Sequence, residues 1–107
     1  MNPAFRSASQ LLRDLRARRI SSLELFDLFA TRIQRHNGTL NAVCAMDLES
    51  GRKAAKAADR SRAARGRLHG LPMTVKESFD LAGFPTTWAC RSTRTTWPRA
   101  TRWRSGA

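Results

Sequence analysis

The chain has 107 residues, with 20 Lys and Arg against 8 Asp and Glu, a formal net charge of +12. That length allows one small domain with a core of its own, and no apolar run approaches the roughly 20 residues that a bilayer-spanning helix needs. A surplus of this size would suit nucleic acid or another acidic partner, yet it is unevenly spread: residues 1–90 hold fifteen basic and eight acidic side chains, and the last seventeen add five arginines and no acid.

The N-terminus, "MNPAFRSASQ", lacks the apolar stretch of a secretion signal. "SASQLLRDLRARR" then predicts a short amphipathic helix. Ala8, Leu11, Leu12 and Leu15 recur at helical spacing, with Arg13, Asp14 and Arg16 off that face. A second helix is expected over "ISSLELFDLFATRIQRHNG". Ser21 and Glu24 have the spacing of a capping box, Phe26, Phe29, Ala30 and Ile33 form the buried stripe, and Asn37-Gly38 closes it.

"TLNAVCAMD" is too short and apolar for a surface helix and predicts a strand. Cys44 in that run reads as a buried, reduced thiol; Cys90 is far away, with no metal-ligand spacing between them. "LESGRKAAKAADRSRAARG" predicts a third helix ending at Gly66, its basic residues forming a solvated face. "GLPMTVK" predicts a second strand, Leu71, Met73 and Val75 alternating with Pro72 and Thr74; "ESFDLAGFPTT" then turns at Gly83 and Pro85. Helix, helix, strand, helix, strand is an α/β order.

Lys76 ends the second strand, just before Glu77, and no lysine follows it. Spacing alone is satisfied by an amine that reaches solvent or pairs with Glu77 or Asp80. A lysine held in a poorly solvated site gives up its charge readily, which is how lysines become general bases.

"RLHGLPMTVKESFDLAGFPTT" resembles the lysine segment of the amidase signature family, typically L-H-G-V/L-P-x-x-V-K-D/E followed by a-G-x-P-T-T. The upstream chain agrees in order. "ISSLELFDLFATRIQRHNGTLNAV" resembles the family's S-S-x-E-L helix, its R-I-x-x-x-N and its L-N-A strand, and "AAKAADRSRAARGRLHG" resembles its alanine-rich helix with an aspartate, here Asp59. The likeness covers residues 9–88. It implies the N-terminal part of an amidase-signature fold, helices packed on a mixed sheet, incomplete and followed by an unstructured basic tail. Family members hydrolyse carboxamides with a serine nucleophile, a bridging serine on a cis peptide bond, and a lysine. Lys76 would be the catalytic lysine, drawing a proton through the bridging serine. That agrees with general chemistry, since a serine hydroxyl is a weak nucleophile until a neighbouring base takes its proton.

The family's G-G-S-S-G-G-S run is not present: the chain has no Gly-Gly, and Ser78 matches no family serine. Residues 1–88 therefore read as the N-terminal portion of an amidase domain that is inactive alone, and residues 89–107 as a frameshifted, unstructured Arg/Trp tail. A GC-rich back-translation of "WACRSTRTTWPRATRWRSGA" with one G restored after the first codon reads W-G-L-P-E-H-A-D-N-V-A-A-S-D-A-L-A-V-G-R, which resembles the family's continuation. The nucleotide sequence across that point tests this reading.

The resemblance implies a small-molecule amide as substrate of the full-length family, no membrane or nucleic-acid partner, and no metal or organic cofactor; an alternative reading is a fragment whose partner is a separately made, complementing remainder of the amidase. The setting expected is the reducing cytoplasm. A competing reading is a small basic nucleic-acid-binding protein in which Trp97 and Trp103 stack on bases among arginines.

Overall fold

The computed structural model describes residues 1–61 and 66–87. They include a 3-10 turn at Pro3–Phe5 and three helices, α1 (Ala8–Arg16), α2 (Ser22–Leu40) and α3 (Leu48–Arg60). The chain divides into two units, Met1–Met73 and Thr74–Ala107. The expected tail, residues 89–107, lies outside the described residues, as does the stretch 62–65 of the expected third helix.

The first amides of a helix have no partner within it, so something else must accept from them. For α1 this is Ser7, whose hydroxyl accepts from the Gln10 N–H at 3.3 Å while the Gln10 side chain accepts from the Ser7 N–H at 2.9 Å. Leu11 points into the core, with Leu12 and Leu15 half-buried; Ala8, expected on the same stripe, is exposed. Asp14 departs from expectation too, being only 4% exposed. Arg6, from the turn before α1, folds onto its carboxylate, and Arg19 approaches it at 3.6 Å. A carboxylate so far from water persists because it is paired. Arg18, at φ 52°, turns the chain beyond α1.

In α2 the expected capping box is present: Ser21 Oγ accepts from the Glu24 N–H at 3.0 Å, and the Glu24 carboxylate accepts from the Ser21 N–H at 2.8 Å. The helix does not close at Asn37-Gly38. It continues through Gly38 to Leu40, and Asn41 takes the left-handed conformation at φ 50°, which asparagine tolerates better than most residues. Asn37 has another task. Its side-chain amide donates to the Val43 carbonyl and accepts from the Val43 N–H, both at 2.9 Å, much as a neighbouring strand would. The buried stripe is also displaced. Leu25 is fully enclosed at 0% exposure, whereas Phe26, Phe29, Ala30 and Ile33 are half-buried.

Asp47 caps α3, its side chain accepting from the Ser50 N–H at 3.0 Å. A Cβ at Gly51 would lie 2.6 Å from a Phe26 ring carbon, so glycine lets the two helices meet there. Ala55 is buried on the same side. The basic side chains of α3 face solvent, Arg52 pairing with Asp27 at 3.0 Å and Lys53 with Glu49 at 2.7 Å. No helix among the described residues is long and apolar enough to cross a membrane.

Neither expected strand forms among the described residues. Residues 39 and 40 belong to α2, and 41–47 and 71–76 have no ladder. A strand takes its hydrogen bonds from a neighbour, and no described segment lies alongside to supply them. Cys44 is consequently exposed, not buried, and so is Met73, at 61%.

The two caps make stability pH-dependent. The backbone N–H of Ser21 holds the Glu24 carboxyl below its ordinary range, and that of Ser50 does the same for Asp47. Both groups bind protons less readily folded than unfolded, so their contribution is fully present above the unfolded values, about pH 4, and fades as the pH falls through the lower folded ones. The expected result is that the Ser21 and Ser50 amides lose protection from exchange below about pH 4, ahead of amides in the middle of α2 and α3.

Candidate functional site

The residues that lead to Lys76 begin at the start of α2. Its orphan amides are fully accounted for. Ser21 Oγ takes the Glu24 N–H, and the Asp59 carboxylate, from the last turn of α3, takes two more, accepting from Ser22 N at 2.7 Å and Leu23 N at 3.0 Å. A carboxylate at a helix N-terminus also meets the favourable end of the helix dipole. Ser22, 4% exposed, is thus free to use its hydroxyl elsewhere: it donates to the Gly70 carbonyl at 2.7 Å. His69 Nε2 lies 3.1 Å from the Ala58 carbonyl. A carbonyl only accepts, so that nitrogen carries the proton.

These contacts fasten the His69-Gly70 turn to both helices. Gly70 sits at φ +79°, and a Cβ there would lie 3.4 Å from Ser22 Cβ. The positive φ calls for glycine, whereas a Cβ there would meet only ordinary van der Waals contact. Turn bonds from His69 N to Gly66 O at 3.3 Å and from Leu71 N to Leu68 O at 3.1 Å complete the approach. The Arg16 guanidinium adds a bond to the Arg67 carbonyl at 3.2 Å. The residues that carry the resemblance upstream of the lysine, Ser21, Ser22, Glu24, Asp59, His69 and Gly70, are therefore a fastening in this fold.

In the second unit Lys76 opens a loop that closes on itself. Its carbonyl accepts from the Phe79 N–H at 3.0 Å, and Leu81 to Phe84 form a turn bonded at 3.1 Å, with Gly83 at φ +82°. The Thr87 N–H donates to the Glu77 carboxylate. Thr86, 3% exposed, donates its hydroxyl to the Phe79 carbonyl at 3.4 Å. The Pro-Thr-Thr stretch returns to the point where the lysine leaves.

Lys76 itself is exposed, and no carboxylate among the described residues stands within ion-pairing distance of its amine. Of the two arrangements open to it on spacing alone, the structure shows the solvated one. Ser78, two residues on, is half-buried. A cavity of about 400 Å³ in the first unit is lined by Arg16, Arg18, Glu24 and Asp59 among others. Its two carboxylates are already committed to backbone amides. No cluster of three or more potential metal-ligating His, Cys, Asp or Glu side chains occurs among the described residues.

Sequence comparison bears on what such a lysine loop is for. Residues 24–100 match the family model described as Amidase, a span that includes Glu24, Asp59, His69, Gly70 and Lys76. A glutamyl-tRNA(Gln) amidotransferase subunit of Azoarcus sp. (strain BH72) is 43% identical over 83 residues, covering 76% of this chain and 17% of that protein. An amidase of Pseudomonas putida is 37% identical over 82 residues, covering 74% of this chain and 17% of its own. An indoleacetamide hydrolase of Bradyrhizobium diazoefficiens is 39% identical over 74 residues, covering 66% and 14%. The chain spans about a sixth of the length of the first two relatives.

Proposed function

The chain belongs to the amidase family, and from that membership we propose that it is the lysine-bearing portion of a carboxamide hydrolase, with Lys76 as the catalytic base. The observation that carries this is the continuity of the family match from Glu24 through Asp59 and the His69-Gly70 turn to the lysine loop. The similar proteins carry different names: a glutamyl-tRNA(Gln) amidotransferase subunit, an amidase and an indoleacetamide hydrolase. A carboxamide bond is the substrate chemistry proposed here for this chain.

In that reaction a hydroxyl attacks the amide carbon, its proton passes to a base, and donors aimed at the developing oxyanion stabilise the intermediate. Lys76 is the base that draws this proton, by way of the bridging serine that the resemblance implies. The 107 residues contain no Gly-Gly-Ser-Ser run, so the nucleophile and the oxyanion donors come from elsewhere in the working enzyme. Amines act as bases where their surroundings strip water from them. Lys76 is exposed here, so the wall around it also belongs to the missing part. On this reading residues 41–47 and 71–76 are strands awaiting the rest of a mixed sheet, and residues 89–107 are the product of a shifted reading frame.

The test is complementation. The purified chain is mixed with a separately produced polypeptide carrying the remainder of an amidase domain with its serine loop, and ammonia release from simple carboxamides is measured. Hydrolysis by the mixture and none by either part is the expected result. Hydrolysis by the 107-residue chain alone, lost on Lys76→Met, would mean that the reacting groups are all within it and would defeat the reading.

A further inference from the structure

We infer that Glu77 and Thr86 are positioning residues for Lys76: from within the lysine loop they fix the turn on which the lysine stands. This rests on the reading of Lys76 as the base, but it is measured without turnover, so the two can fail separately.

Lys76 is the first residue of a tight turn, its carbonyl accepting from the Phe79 N–H at 3.0 Å. A single backbone bond in an exposed loop opens readily. Here two bonds from side chains reinforce it. Glu77, the second residue of the turn, accepts with its carboxylate from the Thr87 N–H, ten positions on. Phe79, the fourth, accepts with its carbonyl from the Thr86 hydroxyl at 3.4 Å, seven positions on. Thr86 and Thr87 are neighbours, so one short stretch grips the turn at two points. The Leu81–Phe84 turn, bonded at 3.1 Å, brings that stretch back, and Pro85 restricts the backbone just before it. All of these residues lie in the second unit, so nothing here depends on the first.

An acid next to a lysine is ordinarily read as its ion-pair partner. The Glu77 carboxylate is not within ion-pairing distance of the Lys76 amine and meets a backbone N–H instead. Its charge serves the backbone, not the amine, and a hydrogen bond to a charged acceptor is roughly twice as strong as one to a neutral acceptor. Thr86 is 3% exposed, and a hydroxyl so enclosed keeps its bond because no water stands ready to replace the partner. A base works only from a defined place, and a misplacement of about 1 Å can cost about a hundredfold in rate. Backbone order at Lys76 is therefore a condition for its chemistry, and Glu77 and Thr86 supply it.

The experiment compares the full chain with Glu77→Ala, Glu77→Gln, Thr86→Val and Thr86→Ser by amide hydrogen exchange and backbone relaxation. Glu77→Gln keeps an acceptor oxygen and Thr86→Ser keeps the hydroxyl, whereas Glu77→Ala and Thr86→Val lose them. In Glu77→Ala the Thr87 amide should exchange about tenfold faster, and the Lys76 order parameter should fall from about 0.85 toward about 0.6. Thr86→Val should lower order at Lys76 to a similar extent and speed exchange at the Phe79 amide. Glu77→Gln and Thr86→Ser should stay near the parent chain. The Phe84 amide, bonded in the other turn, should change in none of them. Unchanged order at Lys76 in either Glu77→Ala or Thr86→Val would overturn the inference. So would Glu77→Gln as disordered as Glu77→Ala, which would tie the effect to charge and not to the bond. Equal loss of protection at Phe84 would overturn it too, since the loop would then be coming apart as a whole.

Discussion

Lys76→Met in the complemented enzyme is expected to lower kcat for a simple carboxamide by at least about a thousandfold, with KM nearly unchanged. Removing one member of a nucleophile–base unit typically costs that much or more, because the members act together. The selective loss of kcat follows from what the amine does. It accepts a proton only as the hydroxyl attacks, so it contributes to the transition state and not to holding the amide. Lys76→Arg separates a base from a mere positive charge. Guanidinium keeps its proton under all working conditions, so Lys76→Arg should be as inactive as Lys76→Met if the lysine is a base. If instead Lys76 only presents a charge to solvent, Lys76→Arg would retain near-normal kcat, and the assignment would be lost. Circular dichroism on both variants, alone and in the complemented enzyme, guards against misfolding.

The capping box at Ser21 and Glu24 is legible in the sequence because its partners lie three residues apart, where spacing alone defines the geometry. The same logic covers Ser7 and Gln10, a pair that glutamine at the third position signals as well as glutamate does. The contacts that fasten the His69-Gly70 turn are of another kind. Ser22 meets Gly70 across 48 residues and Asp59 meets Leu23 across 36, and no local pattern carries such pairings. Resemblance singles out these residues without saying what they touch.

Burial departs from expectation for a related reason. Periodicity gives the direction of an apolar face but not what lies opposite it. Leu25 is enclosed, while Phe26 and Phe29, one stripe over, are only half-covered, because Gly51 lets α3 press against the ring edge of Phe26 without enclosing it. Cys44 and Met73 have apolar sequence neighbours and exposed side chains. Strand-like patterning states a requirement for a sheet, and a sheet is a property of several segments at once. Asn37 partly meets that requirement for Val43 by offering it an amide in place of a neighbouring strand.

Leu25→Ala should be the most damaging substitution for the fold. Leu25 is 0% exposed, and the other buried apolar side chains among the described residues are Leu11 and Ala55. Truncating a buried leucine typically costs about 2–5 kcal/mol, the lost transfer energy plus a term for the cavity. Small domains have only about 5–15 kcal/mol in all, and so few enclosed side chains place this one at the low end of that range. Isolated helices of the length of α1 and α3 are marginal in water, so they should not outlast the packing that holds them. Far-UV circular dichroism at 25 °C should therefore show loss of most helical signal in Leu25→Ala, and the thermal transition should broaden or vanish. Leu40→Ala is the matched control. That leucine is 70% exposed at the end of α2, and its removal should shift stability by no more than about 0.5 kcal/mol. Equal melting of the two variants would mean that Leu25 is not at the centre of the fold, and that α2 meets α3 through the Phe26 and Phe29 side of the helix instead. The fastening of the His69-Gly70 turn depends on the same packing, since Ser22 lies one turn before Leu25 on the same face of α2. Loss of the Leu25 side chain should therefore also free His69 and Gly70, and protection of the Leu71 amide should fall together with the helical signal.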